Sequence, residues 1–362
     1  MAKPRVGILF GGKSAEHEVS IMSAKSIVNA IDRTKYDVLL IGIDKSGRWF
    51  LNEEGQRLLE GQQSIPNAKS DSEVVLVHEG DRSRLIQYSK NRDIGEVDVV
   101  FPVLHGPLGE DGSVQGLLKI ANIPFVGADV LGSAIGMDKD VMKRLLEHSG
   151  IPVAPFVVVE GKAGGYDYDE LVERLGTTLF VKPANLGSSV GVSKTKNRGE
   201  FEEAVKEAFR YDEKIIIESF IEGREIECSV LGNENPLASV PGEIIPKHEF
   251  YSYQAKYIDE NGAELIIPAQ LEKETIARIQ TMAIRAFKVL CCRGMARVDM
   301  FLTGEGEIKV NELNTIPGFT DISMYPKLWE ESGMSFTELI SRLIELAVES
   351  HTTRAGLKSS FD

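Results

Sequence analysis

The stretch that most limits how this chain can fold is residues 296–320, which read ARVDMFLTGEGEIKVNELNTIPGFT. Two β-like runs flank a tight turn at Gly304, Glu305 and Gly306. Folded symmetrically about that turn, the hairpin sets Asp299 opposite Glu312 and Arg297 opposite Asn314. Strand side chains alternate between faces, so two carboxylates and an amide converge beside an arginine. Like charges placed opposite each other repel. A hard cation such as Mg²⁺, which seeks oxygen ligands, removes that cost. Arg297 beside the pair suits a phosphate or an oxyanion. An ordinary hairpin also carries charges on a solvated face. Here Ile308, Val310 and Leu313 predict a partly buried second strand, and a buried carboxylate must be paired or coordinated.

The chain has 362 residues and a formal charge of -14. That length predicts two or three domains. The charge argues against general nucleic-acid binding and against an anionic membrane surface, while leaving room for a local basic pocket. Cys228, Cys291 and Cys292 form no disulfide framework and lack metal-ligand spacing. The adjacent pair reads as core thiols in an apolar helical run. No apolar run reaches membrane-spanning length, and MAKPRVGILFGG passes directly into a strand. A cytoplasmic setting is expected.

Along the chain, strands are predicted at 5–10, 36–43 and 97–104, with short ones at 49–50 and 74–78. Helices are predicted at 16–31 and 113–120. The alternation gives an open α/β domain over the first third. The dinucleotide fingerprint is absent, since GGKSAE follows the first strand. Residues 127–136, GADVLGSAIG, read as a linker. A helix at 137–149 leads to strands at 156–159 and 178–182. Then comes PANLGSSVGV at 183–192, a turn whose N–H groups and hydroxyls can grip phosphate oxygens without being a Walker A loop. A helix at 201–211 and a strand at 214–220 end at a hinge, 221–223. Antiparallel strands are expected at 226–231, 237–240 and 243–245. The polar stretch 246–264 is long for an ordinary loop. Helices at 271–289 and 335–349 complete the chain, with a fraying tail after His351.

Several side chains stand out. Lys182 ends an apolar strand directly before the phosphate turn, where a lysine reaches nucleotide phosphates as a point charge. Lys139 fits the same role, or that of a solvated helix lysine. Glu16 at a helix start serves either a ligand ammonium or the helix dipole. His105 is either a site residue or a satisfied structural histidine. Backbone groups of Glu218, Ser219, Phe220 and Ile221 can read an adenine edge, with Phe180, Phe220 and Phe301 as cover or as plain core. Glu225 suits a ribose hydroxyl. Lys256 and Tyr257 sit in the long loop, which as a lid brings both onto phosphates.

With these residues in hand, the sequence resembles the D-alanine–D-alanine ligases of the ATP-grasp superfamily. The resemblance is carried by GGKSAEHEVS at 11–20, HGPLGEDG at 105–112, MDK at 137–139 and KPANLGSSVGV at 182–192. It continues through ESFIEGREIECSV at 218–230, YQAKY at 253–257, RVD at 297–299, NELN at 311–314 and NTIPGFT at 314–320. It implies an ATP-grasp fold preceded by an open, Rossmann-like α/β domain, with domains at 1–134, 135–223 and 224–362. It implies ATP and two Mg²⁺ or Mn²⁺ ions on Asp299, Glu312 and Asn314. D-alanine is the implied substrate and a homodimer the implied assembly. Lys139, Lys182, Lys256, Glu218–Ile221, Glu225 and Phe301 map to the ATP side. Glu16, His105, Arg297, Gly318, Ser323 and Met324 map to the substrates, with Arg297 and the Gly318 N–H at an oxyanion. Glu16, Ser188 and Tyr257 map to a hydrogen-bonded triad.

Overall fold

Fully apolar runs build the first sheet. β1 (Arg5–Gly11) is flanked in parallel by β2 (Asp37–Ile43) and β7 (Val99–Val103), with β3 (Trp49–Leu51) antiparallel at the edge of β2. Both faces of such a sheet are covered, which is why β1 and β7 show no alternation. Gly11, at φ +88°, lets the chain turn off β1, since a Cβ there would collide with Ile43 O. α1 (His17–Ala30) follows. α2 (Glu53–Leu59) precedes a small antiparallel sheet of β4 (Val74–Glu79), β5 (Arg82–Gln87) and β6 (Arg92–Glu96). α3 (Ser113–Ile120) closes this part. The computed structural model describes residues 3–51, 53–60, 73–79, 82–87, 92–161, 165–246 and 263–358.

α4 (Val130–Met137) and α5 (Lys139–His148) meet at Asp138, whose side chain caps α5 by accepting from Asp140 and Val141 N–H. The second large sheet is antiparallel, in the order β10-β9-β11-β8. Its strands are β8 (Phe156–Glu160), β9 (Leu179–Pro183), β10 (Ser193–Thr195) and β11 (Lys214–Ser219). α6 (Tyr168–Leu175) and α7 (Arg198–Ala208) cover it, and sheet and helices pack around their own cluster of Phe201, Val181 and Ile217.

The third sheet runs β14-β13-β12-β15-β16, antiparallel throughout. It comprises β12 (Gly223–Gly232), β13 (Leu237–Pro246), β14 (Ala263–Ile266), β15 (Gly294–Thr303) and β16 (Ile308–Asn314). α8 (Lys273–Val289) and α5 pack against one face through Ile279, Phe287, Met142 and Leu146. α9 (Met324–Glu331) and α10 (Phe336–Ala355) follow. α10 does not stay with its own sheet. Leu339, Leu343 and Ile344 share one buried cluster with Ile8, Phe10, Val99 and Phe101 of the first sheet.

Four expectations need correction. Residues 130–137 are helical, not linker, because Gly132 and Gly136 let α4 lie against the Cys291 carbonyl and Thr315. The strands expected at 237–240 and 243–245 are one strand, β13, because Pro241 and Gly242 both pair within the ladder. Cys291 is exposed beyond the end of α8 with φ +56°, while Cys292 and Cys228 are the core thiols. The last helix runs on to Ala355. Among the described residues no helix is long and apolar enough to cross a membrane.

Candidate active site

Alternation in the third sheet sorts its residues cleanly. Ile226, Cys228, Val230, Val298, Met300, Val310 and Leu313 enter the core. The opposite face carries a row in which Glu227 pairs with Asp299 and Asp299 with Glu312. The next row is Ser229, Arg297 and Asn314. Strict symmetry about Glu305 pairs Met300 with Val310 and would set Asp299 opposite Asn311; a bulge at Asn311 shifts the ladder by one residue, and this is what brings Asp299 opposite Glu312. Three carboxylates in one row need compensation. Arg297 supplies it, donating from Nε to Asp299 Oδ1 and from Nη2 to Oδ2, both at 2.7 Å. Its Nε also lies 2.9 Å from Glu227 Oε2. Asn314 Nδ2 donates to Asp299 Oδ2 at 3.0 Å, and Lys139 Nζ lies 3.7 Å from Glu312 Oε2.

The donor set fits a hard divalent cation: two carboxylates and an amide on one face. Among the described residues no group of three or more His, Cys, Asp or Glu gathers as a metal cluster. The Arg297 guanidinium already spans both oxygens of Asp299, the position a cation would claim.

A second charge cluster faces this one. Lys139 and Lys143 lie one turn apart on α5, on one face. Lys139 Nζ donates to Leu186 O at 2.5 Å and its N–H to Ala184 O at 3.0 Å, which pins α5 to the 183–192 turn. Glu218 takes Lys182 Nζ on Oε2 at 2.6 Å and Lys143 Nζ on Oε1 at 3.0 Å. Burial pushes the Glu218 carboxyl up, but the two ammonium groups win and hold it at about 2. Burial dominates for Lys143, which is 0% exposed and held below the usual lysine range. Lys182 is also depressed by burial, yet Glu218 and Glu312 raise it overall. The Ser219 and Phe220 N–H groups are bonded to Pro155 O and Thr178 O, so neither meets an adenine without breaking a bond. Phe180 and Phe220 stand 6.2 Å apart, and Glu225 pairs across from Phe301.

The first sheet contributes from the other side. Glu16 is buried at the start of α1 and accepts a hydrogen bond from Ser188 Oγ. Ser188 and Ser189 both adopt left-handed backbone, at φ +50° and +59°, which folds the turn back onto Glu16. Gly106, at φ +75°, lies so near Glu16 Oε2 that a Cβ would be 2.7 Å away. His105 Nδ1 is 3.0 Å from Ile316 O, which only accepts, so that nitrogen carries the proton. Burial holds His105 below the usual histidine range. Gly318 faces Ser323, whose Oγ accepts from Thr320 N at 3.0 Å. Met324 is buried with Ile244 and Leu328. Lys256 and Tyr257 lie outside the described residues.

Three further residues join the site without standing out in the sequence. Lys143 is signalled only by its helical spacing from Lys139. Glu227 is signalled by the alternating Glu225, Glu227 and Ser229. Glu110, inside HGPLGEDG, accepts from Gly106 N at 2.7 Å and Ile316 N at 3.2 Å. Burial first, then the Glu16 charge, push it up to about 8.

The D-ala D-ala ligase N-terminus matches residues 5–128, and the D-ala D-ala ligase C-terminus matches 145–345. The chain belongs to the D-alanine–D-alanine ligase family. It is 54% identical over 361 residues to the D-alanine–D-alanine ligase of Oceanobacillus iheyensis, covering 99% of each chain. It is 53% identical to D-alanine–D-alanine ligase A of Salmonella typhimurium, covering 99% of this chain and 100% of the relative. Among solved structures, the D-alanine–D-alanine ligase of Coxiella burnetii superposes with TM-score 0.83 at 41% identity, covering 98% and 97%. The VanG D-Ala:D-Ser ligase of Enterococcus faecalis gives 0.84 at 36%, covering 96% and 100%. The fold of this ligase-family chain is ATP-grasp, preceded by an open α/β sheet.

Proposed function

We infer that this family member joins two D-alanines into D-alanyl-D-alanine for peptidoglycan, consuming ATP. The observation that carries the reading is the convergence of Arg297, Asp299, Glu312 and Asn314 with Lys139, across from the Glu16–Ser188 contact. In this reading the chain divides at about 134 and 223, and the nucleotide lies between the second and third sheets. Lys139 and Lys182 meet its phosphates. Glu218–Ile221 and Phe301 flank the adenine, and Glu225 takes the ribose. Asp299, Glu312 and Asn314 hold two Mg²⁺ or Mn²⁺ ions, which when bound offset charge on the phosphates.

A carboxylate resists attack because oxide is a poor leaving group. Moving the γ-phosphoryl onto the first D-alanine's carboxylate oxygen breaks the bond to ADP and yields an acyl phosphate. The second D-alanine's amine, having lost a proton, attacks the acyl carbon, and phosphate departs. Glu16 anchors the first ammonium, with His105 beside it. Arg297 and the Gly318 N–H stabilise the tetrahedral oxyanion. Ser323 and Met324 lie beside the second carboxylate. Lys256 covers the phosphates from the lid, and Tyr257 joins Glu16 and Ser188 there. The working form is a cytoplasmic homodimer, which sedimentation tests.

The deciding experiment supplies ATP and Mg²⁺ with D-alanine, L-alanine, or D-alanine mixed with D-lactate or D-serine. ADP, phosphate and D-alanyl-D-alanine are expected together, and only with D-alanine. ADP release without D-alanine, or a phosphorylated small molecule as the end product, overturns the reading. A predominant ester or D-alanyl-D-serine product reassigns the second substrate.

A further inference from the structure

Arg297 faces a conflict of duties. Its guanidinium spans both oxygens of Asp299 at 2.7 Å. A carboxylate that ligates a divalent cation holds a guanidinium on the same two oxygens less tightly, because the two positive charges repel and compete for its lone pairs. Yet Arg297 must stay charged and in place to serve an oxyanion.

The neighbouring strand holds the means. Glu227 lies opposite Asp299 in the β12–β15 ladder, and Arg297 sits opposite Ser229, one step along the same face. Glu227 is only 6% exposed, and its Oε2 is already 2.9 Å from Arg297 Nε. The single Nε hydrogen points to Asp299 Oδ1. A small rotation of the guanidinium therefore exchanges one carboxylate for the other without moving the arginine's backbone. Ile226 and Cys228, on either side of Glu227, are locked in the core, so the acceptor itself stays fixed.

We propose that Glu227 is a positioning residue that receives the Arg297 guanidinium when Asp299 turns to a divalent cation. The inference rests on the proposed metal role of Asp299. Without Glu227, Arg297 stays on Asp299 and competes with the cation. The same row, Glu227–Asp299–Glu312, then works as a relay: two carboxylates for the cation and the third for the displaced arginine.

The test measures Mn²⁺ binding to the full chain with ADP present, by electron paramagnetic resonance of free Mn²⁺. Melting temperatures check folding. Glu227→Gln keeps the shape and removes the charge, and is expected to weaken Mn²⁺ about tenfold, a typical coupling within one charge network. In an Arg297→Ala background the same substitution should change Mn²⁺ affinity less than about twofold. Equal weakening in both backgrounds overturns the proposal, because Glu227 then acts on the cation directly. Unchanged affinity in Glu227→Gln overturns it too. If the Gln variant fails to fold, Glu227→Asp, with its shorter reach, carries the same cycle. Asp299→Asn separates the two layers: if it leaves Mn²⁺ binding intact, the metal assignment itself is wrong.

Discussion

Glu218 carries an ammonium group on each carboxylate oxygen and is itself 2% exposed. Removing its charge leaves two buried cations facing each other. Glu218→Gln should therefore cost about 3–5 kcal/mol, read as a lower denaturation midpoint. Adding Lys143→Met should restore part of it, because one of the stranded charges is gone. The pH dependence has a fixed sign. The folded-state value of about 2 lies below the ordinary 4.5, so the contribution is complete above 4.5 and fades as pH falls towards 2. Acid titration of stability should show a shallower loss over that window in Glu218→Gln. Arg297 tests the chemistry instead. In its proposed role as oxyanion donor, its replacement by alanine should lower kcat by about 10²–10³-fold, with a smaller change in KM for D-alanine. Steady-state ADP release measures both. A loss confined to KM would move Arg297 from the transition state to substrate binding.

At the scale of the element, α4 shows how a helix hides in a sequence rich in glycine. Gly is a poor helix former, and exchanging it for Ala in an open helix gains up to about 1 kcal/mol. Gly116 in α3 has open space where a methyl group would stand, so Gly116→Ala should raise the melting temperature. Gly132 in α4 faces the Cys291 carbonyl, where a Cβ would stand 2.8 Å away. Gly132→Ala should reverse the sign and destabilise by about 1–3 kcal/mol. Two identical substitutions with opposite shifts in thermal denaturation would establish that contact, not propensity, sets the α4 sequence. The capping box of α10, with Ser335 and Glu338, is the opposite case: there the local sequence alone marks the helix start.

Across the whole molecule, the first and third sheets share a core through α10, while the second sheet packs on a core of its own. Leu343 is fully buried in the shared cluster. Leu343→Ala should cost about 2–5 kcal/mol and accelerate amide exchange in β1 and β15 together, with less effect on β9 and β11. Hydrogen exchange confined to β15 would show that the two sheets open independently. The arrangement also explains how His105 and Ser23 hold station beside Ile316 and Phe319, which come from the far end of the chain.

Periodicity and turn chemistry settled much at the sequence level. The turn at Gly304–Gly306 and the alternation around it marked the hairpin that gathers Arg297, Asp299, Glu312 and Asn314, but the bulge at Asn311 is what sets Asp299 opposite Glu312 and Arg297 opposite Asn314. Buried runs placed β1, β7 and β11, and the ordered motifs pointed to the family. Local sequence was silent on what converges from afar. Lys182 reaches Glu218 only because β9 pairs with β11, and Lys143 joins them only because α5, from an earlier part of the chain, packs against that carboxylate. Glu227 reaches Arg297 only because β12, about seventy positions earlier, pairs with β15. Such contacts are made by packing between distant segments, and no short window of residues contains both partners.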